Sequence, residues 1–310
     1  MKNRTKLLSA LFAVLMLMST FQITAIAYAA ESKPTSFKAS SYCSLTSHPV
    51  ISWNNKQKVS GYKVYRATKK NGEYTRVCVT QNHSFTDTSA KVHKTYYYKV
   101  RSYIKRGSKC YYSPSTDVMK QKVKKTVLVG DSVMQAVWEY KTLPKSCFVT
   151  KIGVGPYSFY NFAYSEFKIN GRASTGVNKV ISTKADRVFI MLGMNEIDWN
   201  STKQAITNYK KVLKKLKKEM PKTEIVVLAV SPTAQRRSKG NPSMKKVNAY
   251  NKAQKKLCKE LKLTYYDYTD ALKSDGYLKK KYNGGDGCHW NKSGTVAFKN
   301  QITKYAKKHK

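Results

Sequence analysis

Ser132 ends the run Gly130-Asp131-Ser132, directly after the apolar residues 126–129. A serine hydroxyl is a weak nucleophile until a base removes its proton. At neutral pH that base is most often histidine. The chain offers His48, His83 and His93 in a strand-rich N-terminal region, His309 in a basic tail, and His289. Only His289 suits a buried site in the later region, and Asp286 precedes it by three residues. One loop can turn that carboxylate back onto the imidazole and fix its tautomer. Ser132, His289 and Asp286 are therefore a candidate nucleophile, base and orienting acid for nucleophilic catalysis. Each also has a plainer use. Ser132 or Asp131 can cap a helix, Asn195 can brace a loop, and Asp286 and His289 can form a turn and a helix start.

Positioning these groups requires a scaffold. Apolar runs at 126–129, 148–152, 187–192, 224–230 and 263–266 read as strands. Between them, Ile206, Tyr209, Val212, Leu213 and Leu216 share one helical face while lysines fill the other. Val247, Tyr250, Ala253, Leu257 and Leu261 repeat the pattern, and residues 294–307 form a last amphipathic stretch that Asn291 can cap. Strands alternating with helices indicate an α/β domain with a mainly parallel sheet. In such sheets, sites lie beyond the carboxyl ends of the strands. The runs found there are Gly130-Asp131-Ser132, Gly153-Val154-Gly155 and Gly193-Met194-Asn195-Glu196, with Asp286-Gly287-Cys288-His289 late in the chain.

Taken together, these four runs resemble, in order, the blocks of the SGNH, or GDSL-like, hydrolase family. The resemblance covers residues 126–310, within a domain read as residues 124–310, and implies a flavodoxin-like three-layer fold and chemistry through a seryl-acyl intermediate. It implies Ser132, His289 and Asp286 as catalytic residues. The oxyanion donors would be the Ser132 N–H, a glycine N–H from the second block and the Asn195 amide. That glycine is Gly155 or Gly153, with Gly155 preferred for the Pro156-Tyr157-Ser158 loop that follows it. Two departures stand out. Glu196 occupies the place of the family's Asp, and Cys288 sits between Asp286 and His289, either bridged or as a buried thiol. Neither metal nor cofactor is required. Asp267, Asp270 and Asp275 read as capping or solvated groups, and there is no P-loop to suggest a phosphatase or nuclease.

Residues 31–123 read as all-β. Period-two alternation in Gly61-Tyr62-Lys63-Val64-Tyr65-Arg66 and in residues 95–103 marks strands. Asn71-Gly72 is expected to supply a positive-φ hairpin turn, with residues 74–79 as the partner strand. Arg106-Gly107-Ser108-Lys109 is the next turn, and Cys110-Tyr111-Tyr112 opens a last strand. With Trp53, Thr86-Asp87 and Tyr96-Tyr97-Tyr98-Lys99-Val100-Arg101, the region resembles a fibronectin type III domain. The tyrosines read as packing rather than as a sugar platform.

Composition bounds the setting. With 59 Lys+Arg against 17 Asp+Glu the net charge is +42, and 41% hydrophobic residues are ample for a core. Basic Lys2, Arg4 and Lys6, the apolar residues 7–18 and the pair Ala27, Ala29 read as a signal peptide over residues 1–30. Membrane contact would come only through that segment if uncleaved. Export disfavours nucleic acid and points to an anionic cell-wall polymer or surface. The expected activity is an extracellular or wall-associated esterase acting on acylated carbohydrate or another ester, or an O-acyltransferase. A non-catalytic glycan-binding protein is the other class considered. Six cysteines allow several pairings that spacing does not select.

Overall fold

The structure is a computed structural model that describes residues 34–309. The expected signal peptide lies outside the described residues. The chain divides into two compact units. Of the described residues, the first takes in 34–41, 50–88 and 95–121; the second takes in 42–49, 89–94 and 122–309.

The first unit is built on strands β1 (Lys38–Cys43), β2 (Pro49–Asn54), β3 (Gly61–Ala67), β4 (Thr75–Thr80), β5 (Ser84–Thr86), β6 (Thr95–Arg106), β7 (Lys109–Tyr112) and β8 (Met119–Lys122). One sheet runs β1-β2-β5; the other runs β4-β3-β6-β7, with β8 also on β6. The pairs β2–β5, β3–β4, β3–β6 and β6–β7 are antiparallel. Alternation fixes the buried face: Tyr62, Val64, Tyr98 and Val100 point inward, and Trp53 of the facing sheet meets Tyr62 at 5.1 Å between ring centroids. Gly107 takes positive φ in a tight turn, as its sequence requires. The Asn71-Gly72 expectation fails. Neither residue has positive φ, the connection spans residues 68–74, and Gly72 instead closes an ordinary turn on the Lys69 carbonyl at 3.2 Å. Cys110-Tyr111-Tyr112 is not the last strand, because β8 follows it.

The second unit contains β9 (Thr126–Gly130), α1 (Ser132–Glu139), β10 (Phe148–Thr150), α2 (Pro156–Asn161), β11 (Ala163–Ile169), β12 (Arg172–Thr175), α3 (Gly176–Ser182), β13 (Arg187–Met191), α4 (Thr202–Glu219), β14 (Glu224–Leu228), α5 (Met244–Leu261), β15 (Thr264–Tyr266) and α6 (Lys292–Lys308). Its five-stranded sheet has order β10-β9-β13-β14-β15 and is parallel throughout. Every residue of β9 and β13 is buried, so both faces are covered. Helices α2, α3, α4 and α5 contact one another on one side, and α1 meets α6. Tyr209, Val212, Leu213 and Leu216 of α4 are fully buried, each worth about 1.5–3 kcal/mol. Lys211, Lys214, Lys217 and Lys218 line its solvent face. In α5 the apolar stripe is adjusted. Ala253 is only half-buried, while Gln254 is buried and donates to the Leu192 carbonyl at 3.5 Å.

Candidate active site

β9 ends at Gly130, and Asp131 caps α1 by accepting from the Val133 N–H at 3.0 Å. Ser132 is thereby held as the first residue of the helix, half-buried, with an N–H that has no intrahelical acceptor. Asp131 itself is fully buried. Burial pushes its carboxyl up to about 7, against the Val133 hydrogen bond and the charge of His289. Its Oδ2 has no partner among the described residues.

The His289 loop is shaped by hydrogen bonds within a few residues. Asn283 Oδ1 accepts from the N–H groups of Gly285 (3.0 Å) and Gly287 (2.9 Å). Asp286 Oδ1 accepts from the N–H groups of Cys288 and His289, both at 2.9 Å. The next residue, Trp290, is buried, stacks on Phe298 at 4.9 Å and donates to Ser231 Oγ at 2.8 Å. Local hydrogen bonding thus turns the loop, and one large apolar anchor ties it to the chain after β14.

These constraints bring together three residues read from the sequence. His289 Nδ1 lies 2.6 Å from Asp286 Oδ2, and His289 Nε2 lies 2.8 Å from Ser132 Oγ. With Nδ1–H donating to the carboxylate, Nε2 is free to accept the serine proton. Burial raises the Asp286 carboxyl, but donation from the Cys288 N–H, the imidazole and the His289 N–H outweighs it and holds the group below the usual carboxylate range. A hydroxyl, an imidazole and a carboxylate in this order can form an alkoxide-like nucleophile and return the proton to a leaving group.

The oxyanion candidates are partly assembled. Asn195 Nδ2 donates to the Val154 carbonyl at 3.2 Å, joining the third block to the second and leaving one amide hydrogen unspent. Gly155 is buried, whereas Gly153 is exposed with φ of 77°. The Gly155 N–H is directed to Ser158 Oγ at 3.1 Å. Glu196, which stands in the place of the family's Asp, is a buried clamp. Its Oε2 accepts from the Tyr157 N–H at 2.9 Å, and its Oε1 accepts from Asn208 Nδ2 at 2.5 Å. Asn208 was not singled out from sequence; its signal was a polar residue next to Tyr209 on the buried stripe of α4.

Cys288 is a buried thiol that burial pushes up to about 12, and all six cysteines are free in the structure. Asp267 accepts from both the N–H and hydroxyl of Thr269, while Asp270 is exposed and paired with Lys273.

The model of the GDSL-like lipase/acylhydrolase family matches residues 128–296, which hold all four blocks. The chain belongs to the GDSL-like lipase/acylhydrolase family. It is an ester-bond hydrolase of that family, and its second unit carries the family fold. Solved structures similar to this GDSL-like chain include a carbohydrate esterase family 3 protein from Talaromyces cellulolyticus, 19% identical over 58% of this chain and 94% of that one, with a TM-score of 0.43. A GDSL-like lipase from Bacteroides thetaiotaomicron is 14% identical over 60% and 88%, also with a TM-score of 0.43. No curated protein matches the chain significantly.

Proposed function

We propose that the protein is an exported serine esterase that removes small acyl groups, above all acetyl, from carbohydrate or cell-wall polymers. The observation that carries the reading is the unbroken path Asp286 Oδ2–His289 Nδ1, His289 Nε2–Ser132 Oγ, at 2.6 and 2.8 Å. Ser132 Oγ attacks the ester carbonyl while His289 takes its proton. The charge that develops on the carbonyl oxygen is met by the Ser132 N–H, the spare hydrogen of the Asn195 amide and the Gly155 N–H, which turns from Ser158 Oγ. His289 then protonates the departing sugar oxygen, and water repeats the sequence on the acyl-enzyme.

A carbohydrate substrate is supported by exposed aromatic residues near the second and third blocks. Trp199, four residues beyond Asn195, is 80% exposed, and Tyr157 and Phe162 are also exposed. The +42 charge and the leader-like residues 1–30 support an extracellular or wall-associated setting, and the Trp53 and tyrosine pattern supports a fibronectin type III-like spacer. A sugar hydroxyl in place of water would make the same site an O-acyltransferase.

The test is Ser132→Ala, with p-nitrophenyl acetate and acetylated glycans as substrates. Loss of at least about 1,000-fold in kcat is expected for both. Equal rates in variant and wild type would overturn the assignment. Free acetate, as opposed to acetyl appearing on an added sugar, separates esterase from transferase.

A further inference from the structure

The loop that leads into α5 carries Gln235-Arg236-Arg237-Ser238-Lys239, all exposed. Its backbone is bonded to the His289 loop. The Ala234 N–H donates to the Gly287 carbonyl at 2.7 Å; the Ser238 N–H and Asn241 Nδ2 donate to the Asp286 carbonyl at 2.8 and 3.0 Å. Gly287, at φ of 80°, is pressed so closely that a Cβ there would stand 2.5 Å from the Arg236 carbonyl oxygen and 2.7 Å from Arg237 Cα. The two arginines therefore stand on backbone in contact with the residue two positions from His289.

Their chemistry differs from the general lysine surface. Residues 126–310 hold 36 basic side chains, of which only Arg172, Arg187, Arg236 and Arg237 are arginine. Arg187 is buried against Glu224, so half of the arginines in this region sit side by side on the loop bonded to residues 286–287. Among the described residues none of Arg236, Arg237 and Lys239 is in an ion pair, and Arg237 Nε donates only to the Asn241 carbonyl at 3.1 Å. The nearby acids are occupied, Asp286 by His289 and Asp198 by Lys246. The chain continues into the first turn of α5, which holds no acid and adds Lys245 beside the paired Lys246. Like charges gathered at a helix N-terminus repel one another unless an anion joins them. Guanidinium groups bind carboxylate or phosphate oxygens through paired N–H donors, which a lysine cannot reproduce.

We propose that Arg236 and Arg237 form a subsite for an anionic oxygen group, carboxylate or phosphate, carried by the substrate close to the ester. This rests on the serine esterase reading above and names its substrate class as acyl esters on acidic polymers. The anion would hold the polymer so that the ester meets Ser132, making charge a determinant of the reaction as well as of location.

The experiment compares kcat/KM for acetate release from three acetylated polymers: polygalacturonate (carboxylate), polyglycerol phosphate (phosphate) and glucomannan (neutral). The enzymes are wild type, Arg236→Ala/Arg237→Ala and Arg236→Lys/Arg237→Lys. The ratio of anionic to neutral substrate should fall about 10- to 100-fold in the alanine variant, mainly through KM, and less in the lysine variant. Whichever anionic polymer carries that fall identifies the source of the anion. A ratio unchanged for both, or equal loss on all three polymers, would overturn the subsite. Failure of the underlying reading is separate, since it would show as activity surviving Ser132→Ala on every substrate.

Discussion

Asp286 is bonded to His289 and Asp131 feels the charge of His289, yet their carboxyl groups are shifted in opposite senses. Asp286 is held low, so the stability it contributes is present above its unfolded value near pH 4 and is lost as pH falls through its folded value. Asp286→Asn keeps the shape but loses the charge that fixes the imidazole, and kcat should fall by roughly 100- to 10,000-fold with little change in KM. Asp131 is raised to about 7 by burial. Between about pH 4 and 7 the folded state keeps a proton that the unfolded state has lost, so stability declines as pH rises through that window, by at most about 1.4 kcal/mol per pH unit. Asp131→Asn retains a capping oxygen and should flatten this slope in denaturant titrations across pH 4–7. Glu196 is a third case. Glu196→Ala strands the Tyr157 N–H and the Asn208 amide and should cost about 2–4 kcal/mol in chemical unfolding, with Glu196→Gln milder.

Elements carry the site because each block sits where a strand or loop must stop. Gly193 follows β13 at φ of 142°, and a Cβ there would come 2.4 Å from Tyr250 Cε1 of α5. Gly193→Ala therefore combines backbone strain with overpacking. It should destabilise by about 3 kcal/mol or more and displace Asn195, read as a fall in both melting temperature and kcat. The strands and long helices were legible because their patterns are local: continuous apolar runs at 126–129 and 187–192, and a 3.6-residue stripe from Tyr209 to Leu216. The β11–β12 hairpin was not read, although Asn170-Gly171 marks its turn with positive φ at both residues. Its strands are largely exposed and lack the alternation that announces a buried face. The converse error at Asn71-Gly72 has the same origin, since a dipeptide states what a turn can be and the flanking strands decide whether it is used.

At the scale of the whole molecule the charge dominates. Residues 31–125 hold 20 basic and 4 acidic groups, and residues 126–310 hold 36 and 13, so neither region is a simple basic tail. Most of these cations are exposed and act through solvent. Retention of the full chain on a polyanionic resin such as heparin should be strong at 0.05 M NaCl and largely lost by 1 M, where the screening length has shrunk to about 3 Å. Turnover of p-nitrophenyl acetate should change far less over the same range, because Ser132, His289 and Asp286 are held by short, partly buried hydrogen bonds.

By itself the sequence determined the α/β character of residues 124–310 and the order of the four blocks, and it offered Ser132, His289 and Asp286 as candidates for one site. Residue types, short spacings and periodicity are local quantities, and a chain displays them before it folds. Only the tertiary structure decided that Ser132 and His289, 157 positions apart, meet at 2.8 Å. It also decided that Glu196 clamps the N-terminus of α2, that Gly155 is buried while Gly153 is not, and that Arg236 and Arg237 rest against the loop of the base. The physical reason is that a parallel sheet delivers the carboxyl ends of distant strands to one edge. Which side chains touch there depends on packing among helices and loops that no single segment encodes.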